Sequence, residues 1–220
     1  MNKIYHFGDS YGSVNAAKGS VHFVQLMSEK LGYGYIPNSV GGSSNEMIFS
    51  KLLNNIFRFE SGDILFFNLS FFIRGSYYDM DKKEIMSTNY YVSEQLNQTM
   101  YGKIQPSFFN MENFEHTSGV ISYILDYNED YNRKLFEKFN ILFELLTKKN
   151  ITIYYIFNEN SDFSGDLLKY GNQIKFDNGF CNWLTEMGYH NQEDCHYTLG
   201  VQPNIMEHVL NEIKKFTKMI

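Results

Sequence analysis

Short apolar runs alternate with segments of helical periodicity along this chain, and the alternation limits the folds open to it. The apolar runs that we predict as strands cover residues 3–7, 34–38, 63–69 and 151–157. The segments that we predict as helices cover residues 15–31, 43–57, 120–148, 176–187 and 203–218. Such an alternation is typical of a parallel sheet with helices on both faces. We therefore predict an α/β protein whose ligand lies at the carboxyl ends of the strands.

One segment after the third predicted strand breaks this pattern. Residues 75–118 are rich in Tyr, Asn, Met and Glu and have no strong period. We predict loops and short helices there, forming an insertion within a single domain over residues 1–220. A chain of 220 residues fits one domain of ordinary size.

The composition argues against several classes of protein. With 43% hydrophobic residues the chain can build a core, which disordered chains cannot. Lys and Arg number 19 against 25 Asp and Glu, whereas nucleic-acid binding needs basic residues to neutralise phosphates. No apolar run reaches the roughly 20 residues that cross a bilayer. From the charge and from the length of these runs, we expect neither nucleic acid nor membrane as a partner. Two cysteines, Cys181 and Cys195, make no disulfide framework, and we expect no metal or other cofactor.

If Met1 is the natural start, we expect no secretory signal, because Met1-Asn2-Lys3 runs directly into the first predicted strand. We expect the protein in the cytoplasm of the cell that makes it, unless it leaves on a virion. Its 17 Tyr, 20 Phe and abundant Asn favour A/T-rich codons, which points to an AT-rich genome, such as that of some viruses.

Ser10 is the first residue that could carry chemistry. It follows Gly8-Asp9 at the end of the first strand. A serine on a sharp strand-to-helix turn exposes its hydroxyl at the carboxyl edge of the sheet, where N–H groups stabilise developing negative charge. Gly-Asp-Ser is also an ordinary turn sequence, so this run alone does not define a site.

Asp194 and His196 stand two residues apart ahead of the last predicted helix. In a loop, the carboxylate of such a pair can orient the imidazole and stabilise its protonated form. The second ring nitrogen then accepts a serine proton. A lone Asp-x-His pair is also common on protein surfaces.

The run Gly41-Gly42-Ser43-Ser44-Asn45 follows the second strand and opens a helix. Glycines there let the backbone approach a ligand closely, and the helix start offers N–H donors. The run is equally consistent with an ordinary turn in which Ser43 or Ser44 caps the helix. It matches neither a P-loop nor a dinucleotide-binding fingerprint.

Taken together, these blocks resemble those of the SGNH (GDSL-type) hydrolases in order and spacing. The blocks are Phe7-Gly8-Asp9-Ser10, residues 38–42, and Asp194-x-His196 before an amphipathic helix. Residues 42–48, with Arg74 after the third strand, resemble a bacterial and phage branch of that family. The resemblance covers about residues 1–74 and 176–215.

The resemblance implies a flavodoxin-like three-layer α/β/α sandwich and ester hydrolysis through an acyl-enzyme. Ser10 would be the nucleophile, His196 the general base and Asp194 its orienting acid. Glu193, three residues before His196, is a rival for the last role. The N–H groups of Ser10 and Gly42 would form two parts of the oxyanion hole.

The third block of the family departs from its usual pattern here. The family has an oxyanion-binding Asn just past the third strand, and that position falls near Phe72. Asn68 is the nearest amide and our candidate for the missing donor, with Ser70 as the alternative. Losing one such donor lowers the rate by roughly 10²–10³.

Three functions are consistent with these features. The first is a serine esterase that removes an acyl group from a carbohydrate or another small ester. The second is a non-catalytic SGNH-fold component of a virion or other assembly, with virion proteins or further copies of the chain as partners. The third is a flavodoxin-like module that binds a phosphate-bearing ligand at residues 41–44 and does not depend on Ser10.

Overall fold

A computed structural model describes most of the chain. The described residues are 1–9, 11–12, 21–70, 74–79, 84–89, 114–158, 168–189 and 200–217. For residues 74–79, 84–89, 114–130 and 217, the backbone alone is described.

The described residues form seven strands. They are β1 (Lys3–Gly8), β2 (Gly34–Pro37), β3 (Ile64–Leu69), β4 (Arg74–Asp79), β5 (Glu84–Asn89), β6 (Thr152–Phe157) and β7 (Asn172–Gln173). Five of them pair in parallel, in the order β2-β1-β3-β6-β7. Every residue of β3 is buried, as expected for a central strand with both faces covered. The predicted parallel sheet is confirmed.

The described residues also form five α-helices. They are α1 (Phe23–Leu31), α2 (Asn45–Asn55), α3 (Phe114–Lys148), α4 (Phe180–Glu186) and α5 (Gln202–Thr217). The Ser44 hydroxyl caps α2 by accepting a hydrogen bond from the Met47 N–H at 3.3 Å. His22 caps α1 in the same way, because its Nδ1 accepts from the Val24 N–H at 3.2 Å. No helix in the described part of the chain is both long and apolar enough to cross a membrane.

Alternate residues of the strands face two separate cores. On one face, Ile4, Phe66 and Ile156 pack with residues of α1, α4 and α5. On the other face, Phe7 and Phe67 pack with residues of α2 and α3. The sheet therefore lies between two helical layers, which confirms the predicted α/β/α arrangement.

The segment after β3 differs from our prediction. We predicted loops and short helices over 75–118, but β4 and β5 form an antiparallel pair and α3 begins at Phe114, six residues before the predicted helix. A hairpin satisfies its backbone groups by local pairing, so it needs no long apolar run of the kind used to predict strands. The edge strand β7 was also missed, because its two residues are Asn and Gln and form no apolar run. That residues 75–118 form an insertion within one domain stays a prediction.

Candidate active site

The predicted triad lies outside the described residues. Ser10, Asp194 and His196 belong to segments of which the structure gives no account, as does the rival Glu193. The described residues on either side of Ser10 in the sequence lie at the carboxyl edge of the sheet, and their contacts define the candidate site.

The Asp9 carboxylate is the centre of this edge. Asp9 follows β1 directly and is fully buried. Its Oδ1 accepts a hydrogen bond from the Tyr11 N–H at 3.0 Å, and its carbonyl accepts one from the Gly12 N–H at 3.1 Å. These two bonds close a tight turn between Asp9 and Gly12.

Two other strands also contact this carboxylate. The Ser70 hydroxyl, just after β3, donates to Asp9 Oδ2 at 3.2 Å, and the Asn158 amide, just after β6, donates to the same oxygen at 2.9 Å. A buried carboxylate is stable only when donors of this kind replace water. Asp9 thus connects the carboxyl ends of β1, β3 and β6.

Asn45 ties the start of α2 to the same edge. It is buried, and its Nδ2 donates to the Ser70 carbonyl at 3.0 Å while its Oδ1 accepts from the Ser70 N–H at 2.7 Å. The loop before α2 contains Gly42, whose φ of 78° lies in the left-handed region that favours glycine. The role of the Gly42 N–H in an oxyanion hole stays a prediction.

Asn68 lies within β3, opposite Gly8 of β1. It is fully buried, and its Oδ1 accepts a hydrogen bond from His6 Nε2 at 2.8 Å. In the described part of the structure, its Nδ2 has no hydrogen-bond partner. A Cβ at position 8 would come within 2.9 Å of the Asn68 Cβ, which explains why glycine stands there. The oxyanion role of Asn68 also stays a prediction.

Two buried imidazoles, those of His6 and His22, lie beneath the turn. His22 Nε2 donates to the Tyr11 carbonyl at 3.0 Å, and the two ring centroids are 4.6 Å apart. His6 uses its second nitrogen, Nδ1, to accept from the Tyr35 hydroxyl at 3.1 Å. A Cβ at Gly12 would lie 3.1 Å from His6 Nε2, so the turn rests directly on this ring.

Burial keeps both imidazoles neutral at pH 7. Desolvation lowers the pKa of His22 from 6.5 to about 4, although the hydrogen bond to the Tyr11 carbonyl opposes the shift. The pKa of His6 is lowered well below its ordinary value, first by burial and then by the neighbouring His22, against the bond to Asn68. We interpreted neither histidine as part of a site from the sequence. The available signal for His6 was its position between apolar residues on the inward face of a strand.

Asn158 and Asn45 are the other residues that sequence reasoning did not assign to the site. Asn158 directly follows β6, which is the signal that the sequence carries for it, whereas Asn45 begins α2 and ends the run of residues 41–45 noted above. Among the described residues, no group of three or more His, Cys, Asp or Glu side chains could hold a metal ion.

Comparisons with known proteins identify the fold. No family model matches the chain, and no curated protein does. The solved structure of TesA matches 97% of this chain and 99% of its own, at 13% identity with a TM-score of 0.50. YxiM from Bacillus subtilis matches at 12% identity and a TM-score of 0.52, over 98% of this chain and 57% of its own. A protein described as a GDSL-like lipase, from Parabacteroides merdae, matches 96% of both chains at 9% identity, with a TM-score of 0.47.

The likenesses to TesA and YxiM show that the chain shares the α/β fold of these structures. This agrees with the observed sheet and with the fold that the resemblance to the SGNH (GDSL-type) hydrolases implied. At such low identities the comparisons show the fold alone, and the activity has to be argued from the site. The branch of phage and bacterial members stays a prediction.

Proposed function

We propose that this protein is an ester hydrolase of the GDSL type that works through a serine acyl-enzyme. One observation carries the proposal. The residue directly before Ser10 is a buried carboxylate that accepts hydrogen bonds from three separate segments of the chain. Such an arrangement ties Asp9, Tyr11 and Gly12, which flank Ser10 in the sequence, to the edge of the sheet where ligands of α/β proteins bind.

The proposed chemistry follows from the residue types around that turn. The Ser10 hydroxyl attacks the carbonyl carbon of the ester, and His196 takes the hydroxyl proton. His196 then gives this proton to the leaving alcohol. A water molecule attacks the acyl-enzyme in the same way and releases the acid. Asp194 is the proposed partner that orients His196, with Glu193 as the rival.

The developing negative charge needs hydrogen-bond donors, and we propose three. Two are the backbone N–H groups of Ser10 and Gly42. For the third we favour Asn68 over Ser70, because the Ser70 hydroxyl already donates to Asp9, whereas the Asn68 Nδ2 has no acceptor within the described part of the chain. This amide is buried. The edge of β3 must therefore open slightly when substrate binds.

The substrate that we propose is a short acyl ester of a carbohydrate or another small alcohol. The net charge of −6 opposes the approach of polyanionic substrates. The test is hydrolysis of acetyl, butyryl and octanoyl nitrophenyl esters and of acetylated sugars by the wild type and by Ser10→Ala and His196→Ala. We expect both variants to lose about 10³-fold or more in kcat.

One observation favours a second function, that of a non-catalytic component of an assembly. By sequence count, the position of the family's oxyanion Asn falls near Phe72, and the side-chain amide of Asn68 is buried. Hydrolysis by the wild type that equals that of Ser10→Ala would favour this function. Co-purification with virion proteins would then be the next measurement.

A further inference from the structure

Asn158 is the least expected member of the carboxyl edge. It directly follows β6 and is fully buried. Its Nδ2 donates to Asp9 Oδ2 at 2.9 Å, across 149 residues of sequence. The backbone of Asn158 is itself held, because its N–H donates to the Leu69 carbonyl at 3.3 Å and its carbonyl accepts from the Cys181 N–H at 3.0 Å. Two hydrogen bonds therefore hold the Asn158 backbone in place where its side chain extends to Asp9.

Only one of the two polar atoms of the Asn158 side chain has a hydrogen-bond partner among the described residues. In the described part of the structure, the Asn158 Oδ1 is buried without a hydrogen-bond partner. An unsatisfied buried acceptor is unfavourable, and an apolar side chain would avoid it. What Asn158 contributes is therefore the bond from its Nδ2, which supplies one of the donors that the buried Asp9 carboxylate requires.

We propose that Asn158 is a positioning residue for Ser10 and acts through the Asp9 carboxylate. The inference rests on the proposed function, since it concerns the reactivity of Ser10. One oxygen of Asp9 accepts from the Tyr11 N–H and so sets the turn that contains Ser10. The other oxygen is held by Asn158 and Ser70. Without Asn158, the carboxylate can rotate and the turn can shift.

The expected effect is on reactivity rather than on substrate binding. A displacement of about 1 Å at a reacting group can lower a rate by about 10²-fold. For Asn158→Ala we therefore expect a fall of about 10²-fold in kcat, with KM nearly unchanged. Ser70→Ala removes the other donor to the same oxygen and should lower kcat in the same sense.

A matched control is Asn182→Ala. Asn182 is exposed on α4, and its Nδ2 donates to the Asn178 carbonyl at 2.9 Å, the same length as the bond from Asn158 to Asp9. Its loss should leave the reactivity of Ser10 unchanged. The readout is the second-order rate constant for labelling by a fluorophosphonate probe, measured by intact mass. Circular dichroism gives the folded fraction of each variant at the labelling temperature.

Asn158→Asp supplies a signature that a purely structural role would lack. Two carboxyl groups at this distance share a proton, because both cannot be ionised together at low cost. The introduced carboxyl group, when protonated, can donate to Asp9 as the amide does, whereas its ionised form repels Asp9. The ratio of the labelling rate of this variant to that of the wild type should therefore rise from pH 8 towards pH 5.

Other titratable groups do not disturb this ratio. His6 and His22 lie beneath the turn, Tyr11 lies within it, Cys181 bonds to the backbone of Asn158, and His196 is the proposed base. All of them are present in both proteins, so their effects on the labelling rate largely cancel.

Two failures would have different meanings. A folded wild type that does not label, or that labels as Ser10→Ala does, would overturn the proposed function. A wild type that labels at Ser10, with Asn158→Ala and Asn158→Asp labelling per folded molecule like Asn182→Ala at every pH, would overturn the inference about Asn158 alone.

Discussion

Burial of His22 should make the stability of the protein sensitive to acid. The pKa of His22 is about 4 in the folded protein, against 6.5 for an ordinary histidine. Between these two values the unfolded chain binds a proton that the native protein does not bind. The free energy of unfolding therefore falls as the pH falls from 6.5 to 4. A difference of about 2.5 pH units at about 1.4 kcal/mol per unit corresponds to about 3.5 kcal/mol. His6, whose pKa is lowered in the same direction, adds to this loss.

The assay is urea unfolding at a series of pH values from 7.5 to 4.5, followed by the fluorescence of Trp183, the single tryptophan. Carboxylates also contribute to acid unfolding, so the matched variant is His22→Asn. Asn is a good N-cap and can replace the His22 acceptor for the Val24 N–H, but it does not titrate.

The comparison concerns slopes and not absolute stability. His22→Asn also loses the bond to the Tyr11 carbonyl, so it should be less stable than the wild type at pH 7. Between pH 7 and pH 4.5, however, its free energy of unfolding should fall by less than that of the wild type, and the difference should reach about 3 kcal/mol. Parallel curves for the two proteins would show that His22 does not titrate as its burial implies, and would refute the reasoning.

Three further substitutions test the site. Gly8→Ala places a Cβ within 2.9 Å of the Asn68 Cβ and should reduce the free energy of unfolding by about 1–3 kcal/mol. The control Gly41→Ala, whose Cβ meets nothing within 4 Å, should cause no such loss, and equal urea midpoints for the two variants would contradict this. Asn45→Ala removes both hydrogen bonds to the Ser70 backbone and should reduce the free energy of unfolding by about 2–4 kcal/mol in the same assay. A reduction below about 0.5 kcal/mol would be inconsistent with two buried hydrogen bonds. Asn68→Ala should lower kcat for a short ester by about 10²-fold; an unchanged kcat would remove Asn68 from the oxyanion hole.

The three central strands of the parallel sheet, β1, β3 and β6, were predictable from the sequence because they are mostly apolar runs. Residues of β3 are buried on both faces, and this leaves a run of Ile, Leu and Phe that no surface element would carry. The boundaries of α2, which Ser44 caps, were predicted to within two residues. The start of α1 was not, because this helix begins at Phe23 after its His22 cap and not at residue 15. The hairpin of β4 and β5 was not predictable in this way, since its sequence has no apolar alternation to indicate a strand.

The contacts of the site were much harder to predict from the sequence than the sheet. The sequence singled out Ser10 through the turn that contains it, but the donors to Asp9 come from strands far away along the chain. Asn158 and Asp9 are 149 residues apart, and His6 and Asn68 are 62 apart. Their meeting depends on the order of strands in the sheet, which sequence patterns predict only in outline.

The measurement that tests the central claim most directly is labelling with a fluorophosphonate probe, read by intact mass. An activated serine attacks the phosphorus and releases fluoride, so one adduct forms per active site. We expect a single adduct on the wild type that is absent from Ser10→Ala and strongly slowed in His196→Ala. A folded wild type that acquires no adduct, or an adduct that persists in Ser10→Ala, would contradict the account of this protein as a serine ester hydrolase.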